Sequence, residues 1–173
     1  MTTATQTTTS TEANPGTAFE PLAVNPDGIP ERLKERPQWL VWKLEKRDGE
    51  LTKVPYSPSS LTRASSTDLM TWATFEGAMI VYQKHGFDGI GFVFCSGDPF
   101  CGIDLDKCRN PETGDLKPWA KRIIKSFGGA YIEASPSGTG VHIITRGDCP
   151  SKNTKHAEMY DMKRYFTITG VRV

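Results

Sequence analysis

Eight segments of this chain, each four to eight residues long, carry mostly aromatic, β-branched and other apolar side chains and stop at a turn or loop signal. Segments of that length and make-up fold as strands. Residues 38–45 form the first, and Asp48-Gly49 turns the chain into a return strand over 51–56, ending at Pro58. Residues 89–95 and 100–106 flank the turn Ser96-Gly97-Asp98-Pro99 and are expected to pair as a hairpin. Residues 131–134 and 141–145 flank a loop at 135–140, and 157–160 and 165–169 flank a turn. Two other stretches have helical spacing. In 71–85, Thr71 is the expected N-cap, Trp72, Phe75, Met79 and Tyr82 recur on one face, and Gly86 stops the helix. The second covers 118–127, from Pro118 to the stop at Gly128-Gly129. The sum is an α+β fold, a mostly antiparallel sheet with two covering helices.

The folded part is expected to run from residue 29 to 173 as one domain. Residues 1–28 are rich in Thr, Asn, Pro and Gly, with too little apolar surface to offset the entropy of ordering, and are expected to form a disordered tail. A net charge of +1 over 173 residues argues against a wholly basic nucleic-acid-binding domain. Charge is unevenly placed, however: between 152 and 172, Lys152, Lys155, Lys163, Arg164 and Arg172 outnumber Glu158 and Asp161. No apolar run approaches the roughly 18 residues of a membrane span, and the N-terminus lacks the basic and apolar regions of a secretory signal. A cytoplasmic protein with no membrane partner is expected. Cys95, Cys101, Cys108 and Cys149 form no CxxC pair, so the spacing gives a structural zinc site no support. Cys95 is expected to behave as a small buried hydrophobe.

Three segments carry chemistry. In Gly102-Ile-Asp-Leu-Asp106 the alternation of a strand puts Asp104 and Asp106 on one face, with Ile103 and Leu105 pinning the other to the core. Their Cα atoms lie roughly 7 Å apart at about 3.3 Å of rise per residue. Strand interiors are poor in Asp, and two carboxylates so placed call for a positive charge between them, which a hard divalent cation supplies. The loop Ser135-Pro-Ser-Gly-Thr-Gly140 has the glycines and hydroxyls to approach phosphate through Ser135, Ser137 and Gly138, and leads directly to His142. The third segment, 157–170, offers Glu158 as a third acidic ligand and Arg164 as a forked phosphate donor. Each has a plainer reading as solvent-facing strand or hairpin loop. Together, three acids for two shared metal ions and a set of phosphate donors describe in-line phosphoryl transfer.

The order IDLD, SPSGTGVH, EMYD and RYFTITG resembles the archaeo-eukaryotic primase superfamily, most closely the primase-polymerase domains of phage and plasmid replication proteins. RPQWLVWKLE, KVPYSP, ASSTD and GIGFVF also look like that group, so the resemblance covers roughly residues 36–170. It implies a catalytic core related to the RNA-recognition fold with an α/β unit in front. It also implies template-directed synthesis from NTPs or dNTPs with Mg²⁺ or Mn²⁺. By motif, Asp104 and Asp106 match the metal pair, His142 the nucleotide-contacting histidine, and Glu158 the third acid, with Asp161 competing for that last role. Lys53, Ser65, Ser66 and Arg164 become phosphate or template contacts. Relatives usually continue beyond the equivalent of Val173 and often carry a helicase, so a fragment of a longer replication protein, with a helicase partner, is among the expectations. Two other functions share these residues: a metal-dependent nuclease, which needs no triphosphate site, and a catalytically silent DNA-binding or replication-initiation module.

Overall fold

The computed structural model describes residues 20–147, 152–154 and 156–173. Residues 1–19, Cys149 and Lys155, on which parts of the reading above fall, lie outside the described residues, as does the side chain of Lys152.

The strands divide into two antiparallel sheets. Trp39–Arg47 (β1), Glu50–Tyr56 (β2), Gly89–Phe94 (β3) and Arg164–Ile168 (β9) form one, in the order β2-β1-β3-β9. Phe100–Leu105 (β4), Tyr131–Ala134 (β5), Val141–Arg146 (β6), Lys152–Asn153 (β7) and Ala157–Tyr160 (β8) form the other, in the order β5-β6-β4-β8-β7. The helices are Glu31–Lys34 (α1), Phe75–Lys84 (α2) and Pro118–Ser126 (α3). The architecture is α+β, with two sheets where the sequence suggested one.

The expected β3–β4 hairpin is corrected by the pairing: β3 lies between β1 and β9, and β4 between β6 and β8. Asp98 makes the corner. Its carboxylate accepts from the N–H groups of Cys95 (3.1 Å) and Phe100 (2.8 Å) and from the Gln38 amide (2.7 Å). With its side chain spent on bending the chain, 95–99 passes from one sheet to the other. The return crossing runs through Asp161, Met162 and Lys163, where Lys163 has φ +58° and donates to Phe94 O at 3.1 Å. β3–β4 and β8–β9 therefore run beside each other through both sheets.

Between the sheets lies the larger core, where Phe92, Phe94, Phe166 and Ile168 meet Phe100, Tyr131 and Ile144. α2 covers this core beside β1 and β3 through Phe75, Ala78 and Met79. The smaller core backs the second sheet: Cys101, Ile103, Leu105, Val141 and Ile143 pack under α3 through Ala120, Trp119, Ile123 and Ile124. Two boundaries shift from the sequence reading. α2 begins after Thr74, whose hydroxyl accepts from Gly77 N at 3.2 Å, while the Thr71 hydroxyl bonds the carbonyls of Asp68 and Ser65. Cys95 is half-buried just past β3, with its thiol 3.7 Å from Asp98. The folded part also begins earlier than residue 29: Leu22 N donates to Pro136 O (2.8 Å) and Asn25 N to Thr169 O (2.7 Å).

Candidate active site

Antiparallel register brings one row of polar residues together across the second sheet. Glu133 on β5 is opposite His142 on β6, His142 is opposite Asp104 on β4, and Asp104 is opposite Glu158 on β8. Directly opposed residues share a face, with Cβ atoms roughly 4.5–5.5 Å apart. That face looks toward the first sheet, because Gly102, two residues before Asp104, lies against the rings of Phe94 and Phe166. Ile103 and Leu105 point the other way, into the core under α3. Asp106 follows the end of β4, exposed, and Asp106 N still bonds His156 O at 3.1 Å, so it continues the strand's alternation.

His142 is buried and fixed on three sides. Nδ1 is 3.2 Å from Glu133 Oε1, Nε2 is 3.8 Å from Asp104 Oδ1, and the ring stacks on Phe166 with centroids 4.8 Å apart. Asp104 is surrounded unevenly by charge. Burial holds its carboxyl above the usual carboxylate range, His142 and Lys53 pull it down, and Asp106 and Glu158 push it up. Burial likewise lowers the Lys53 ammonium, opposed by the charges of Asp104 and Asp106. Lys53, on the outer strand β2, therefore belongs electrostatically to the acid pair, and Tyr165 donates to its carbonyl at 2.7 Å. Glu158 accepts from the Tyr160 hydroxyl, and the guanidinium of Arg164 lies 5.1 Å over the Tyr160 ring. Arg164, Tyr160 and Glu158 thus form one connected flank.

The glycine-rich loop closes the other end. A Cβ at Gly140 would sit 2.9 Å from Leu105 O, so the loop lies directly against the strand that carries the two aspartates. Gly138 has φ +71°, which favours glycine there. The N–H groups of Gly138 and Gly140 are spent within the loop, on Ser135 O (2.8 Å) and Ser135 Oγ (3.0 Å). Ser137 Oγ bonds both Ser135 Oγ (3.2 Å) and Thr139 Oγ1 (2.8 Å). A phosphate placed here would meet hydroxyls rather than a row of free backbone donors.

The chain is 37% identical over 147 residues to the "DNA Primase-polymerase" of Nitratiruptor phage NrS-1, a match covering 80% of this chain and 20% of the relative. This chain is related to that phage protein. No family model matches it. The chain thus spans about a fifth of the length of the relative it matches.

The residues singled out by the sequence fall into two groups. Asp104, His142, Glu158 and, one step beyond, Asp106 and Lys53 come together. Asp161 does not: it lines a small cleft with Cys95, Ser96, Asp98 and Met162 at the corner between the sheets. Ser65 and Ser66 sit on that side too, Ser66 Oγ donating to Lys163 O at 3.0 Å. The sequence reading missed Glu133. The signal was present, because a hairpin symmetric about 135–140 pairs 134 with 141 and 133 with 142. The carboxylate oxygens of Asp104, Asp106 and Glu158 are the donors a hard divalent cation takes. Among the described residues no three His, Cys, Asp or Glu side chains converge on one point. Asp106 is exposed and Glu158 half-buried, so both have room to turn. No helix among the described residues is long and apolar enough to cross a membrane.

Proposed function

We propose that this chain carries the nucleotidyl-transfer site of a DNA primase-polymerase in phage or plasmid DNA replication. It would join an incoming dNTP or NTP to a 3′-hydroxyl on a DNA template. The observation that carries the reading is the row His142, Asp104, Glu158, with Asp106 beyond it, flanked by Lys53 and Arg164. The named phage relative supports it. Asp104, Asp106 and Glu158 would hold Mg²⁺ or Mn²⁺, which supplies charge neutralisation at the phosphates and a more acidic attacking hydroxyl. The protein's own residues orient the reactants. Lys53 and Arg164 set positive charge on two sides of the acids, the hydroxyls of Ser135 and Ser137 border the phosphates, and His142 Nε2 faces the Asp104 carboxylate.

The template surface is inferred from charge. Lys107 and Arg109 follow the aspartates directly, and Lys117, Lys121, Arg122 and Lys125 continue along the exposed side of α3. Lys107, Arg109 and Lys117 line a cleft of about 760 Å³ that Thr139 of the glycine-rich loop also borders. Among the described residues none of these six cations is ion-paired. Unpaired cations in a strip suit a phosphate backbone.

Primer extension on a primed DNA template with labelled nucleotides and Mn²⁺ tests the proposal. Wild-type extension that disappears in Asp104→Ala/Asp106→Ala supports it. Strand cleavage in place of extension would make this a nuclease, and DNA binding with neither activity nor metal binding would make it a silent module.

A further inference from the structure

We propose that Glu133 is a positioning residue: it holds His142 with the proton on Nδ1, so that Nε2 is the nitrogen presented to Asp104 and the bound nucleotide. The inference rests on the site reading above and deepens it. Glu133 is 0% exposed, yet its carboxylate is fully engaged. Oε2 accepts from Gly170 N (2.7 Å), Thr169 N (3.0 Å), Thr169 Oγ1 (3.3 Å) and the Tyr131 hydroxyl. Burial and the neighbouring Glu133 charge raise the Tyr131 hydroxyl well above its usual range, so it stays a donor.

Two of these partners are backbone N–H groups, which can only donate. The atom at the Oε2 position must therefore be an acceptor. Oε1 remains for His142 Nδ1 at 3.2 Å. An acceptor-only carboxylate oxygen requires a hydrogen on Nδ1, and the partner of one ring nitrogen decides the role of the other. The stack on Phe166 keeps the ring plane from swinging away. Nε2, 3.8 Å from Asp104 Oδ1, is the nitrogen left facing the acidic side. The Glu133 backbone is also bridged to Arg172, so the residue is gripped by the chain after β9 as well as by its own sheet.

Glu133→Gln separates positioning from packing. The amide has the shape of the carboxylate, but its oxygen must take the Oε2 position to receive the Thr169 and Gly170 N–H groups. Its NH₂ then faces His142 and forces Nδ1 to accept, which puts the proton on Nε2. The experiment is ¹⁵N NMR of the imidazole of His142 in wild type and Glu133→Gln, with nucleotide incorporation measured alongside. The expected result is Nδ1–H in wild type and Nε2–H in the variant. Incorporation should fall about 10–100-fold in kcat, the size seen for carboxylates that orient metal-bound histidines, with a smaller change in the KM for nucleotide. Glu133→Gln/His142→Ala should lose no more than His142→Ala alone. The same ring protonation in both proteins would overturn the proposal. So would an unprotonated Nδ1 in wild type, a result that stands even if the variant fails to fold. A tautomer exchange in a protein with no polymerase activity would leave the positioning intact and remove the functional reading instead.

Discussion

Replacing Gly102 with alanine should unsettle both the core and the site, and the size of the effect follows from three distances. A Cβ at 102 would sit 2.6 Å from Phe94 Cζ and 2.7 and 2.8 Å from Phe166 Cε2 and Cζ. Carbon atoms in contact prefer about 3.5–4.0 Å, so each ring must retreat by roughly 1 Å. Neither has open space. Phe94 meets Phe92 and Phe166 edge-on at 5.6 and 5.0 Å between centroids, and both rings are buried. Overpacking of this kind costs about 1–3 kcal/mol, and pressing on two interlocked rings places Gly102→Ala in the upper half. At about 2–4 °C per kcal/mol for a chain this long, 2–3 kcal/mol lowers Tm by roughly 4–12 °C. Urea melts should show the midpoint falling with an unchanged slope, as for a loss of native stability alone. Phe166 also stacks on the His142 ring at 4.8 Å between centroids, so incorporation should fall by more than the unfolded fraction explains. Gly128→Ala is the control, since no atom lies within 4 Å of a Cβ there. A Gly102→Ala protein that melts within about 0.5 kcal/mol of wild type, the usual spread of neutral surface changes, would refute the packing argument and the coupling to His142 with it.

Metal should stabilise the folded protein. A site binding only the native state raises stability by about 2.7 kcal/mol at a hundred times Kd, so Mn²⁺ should raise Tm, EDTA should reverse it, and Asp104→Asn should abolish the shift. Asp104 also predicts a pH trend in metal-free protein. Its folded-state pKa is raised, so its penalty is absent at acid pH and grows as pH climbs from the unfolded value through the folded one. Asp104→Asn should then be at least as stable as wild type near neutrality and lose that advantage in acid, which denaturation at a series of pH values checks. Lys117→Ala/Lys121→Ala/Lys125→Ala should weaken binding to single-stranded DNA and flatten its salt dependence. Three phosphate contacts at ~0.7 each give a slope change of about 2. Metal and nucleotide binding should stay unchanged, and an unaltered salt slope would mean that this side of α3 is only solvated.

Most local signals in the sequence proved reliable, and those that depend on tertiary partners did not. Asp48 and Gly49, both at positive φ (49° and 88°), turn β1 into β2 as the dipeptide predicts. The strands at 131–134 and 157–160 and the alternation of Asp104 against Ile103 and Leu105 were equally legible. The β3–β4 hairpin was misread because Ser96-Gly97-Asp98-Pro99 looks like a hairpin turn until the Asp98 side chain is seen bonded to both flanks and to Gln38. Thr71 and Thr74 are both plausible caps by composition. Only the tertiary structure shows the Thr71 hydroxyl occupied by the carbonyls of Ser65 and Asp68. Of the candidate site, Asp104, His142 and Glu158, which the register of the second sheet places in one row, were named from residue type and spacing. Glu133 could be paired with His142 from the symmetric hairpin but not read as buried, because the partners that make its burial tolerable, Thr169 and Gly170, are 36 and 37 residues away.

The two halves of this site differ in rigidity, and the fold explains why. Glu133 belongs to the second sheet but spends one oxygen on Thr169 and Gly170, just past the end of β9 in the first. His142 lies on that carboxylate and on Phe166 of β9. Sliding one sheet over the other would strand buried donors at about 1–3 kcal/mol each, so this half is fixed before any ligand arrives. Asp106 is exposed past the end of β4, and Glu158 is half-buried on a short strand that also borders β7. Their side chains are held by less and can turn toward a cation. Under the proposed function, a site built this way would orient a nucleotide through the histidine side and adapt to a metal ion on the carboxylate side. Stiffening the sheet junction should therefore leave metal affinity nearly unchanged, whereas loosening it, as in Gly102→Ala, should damage turnover first.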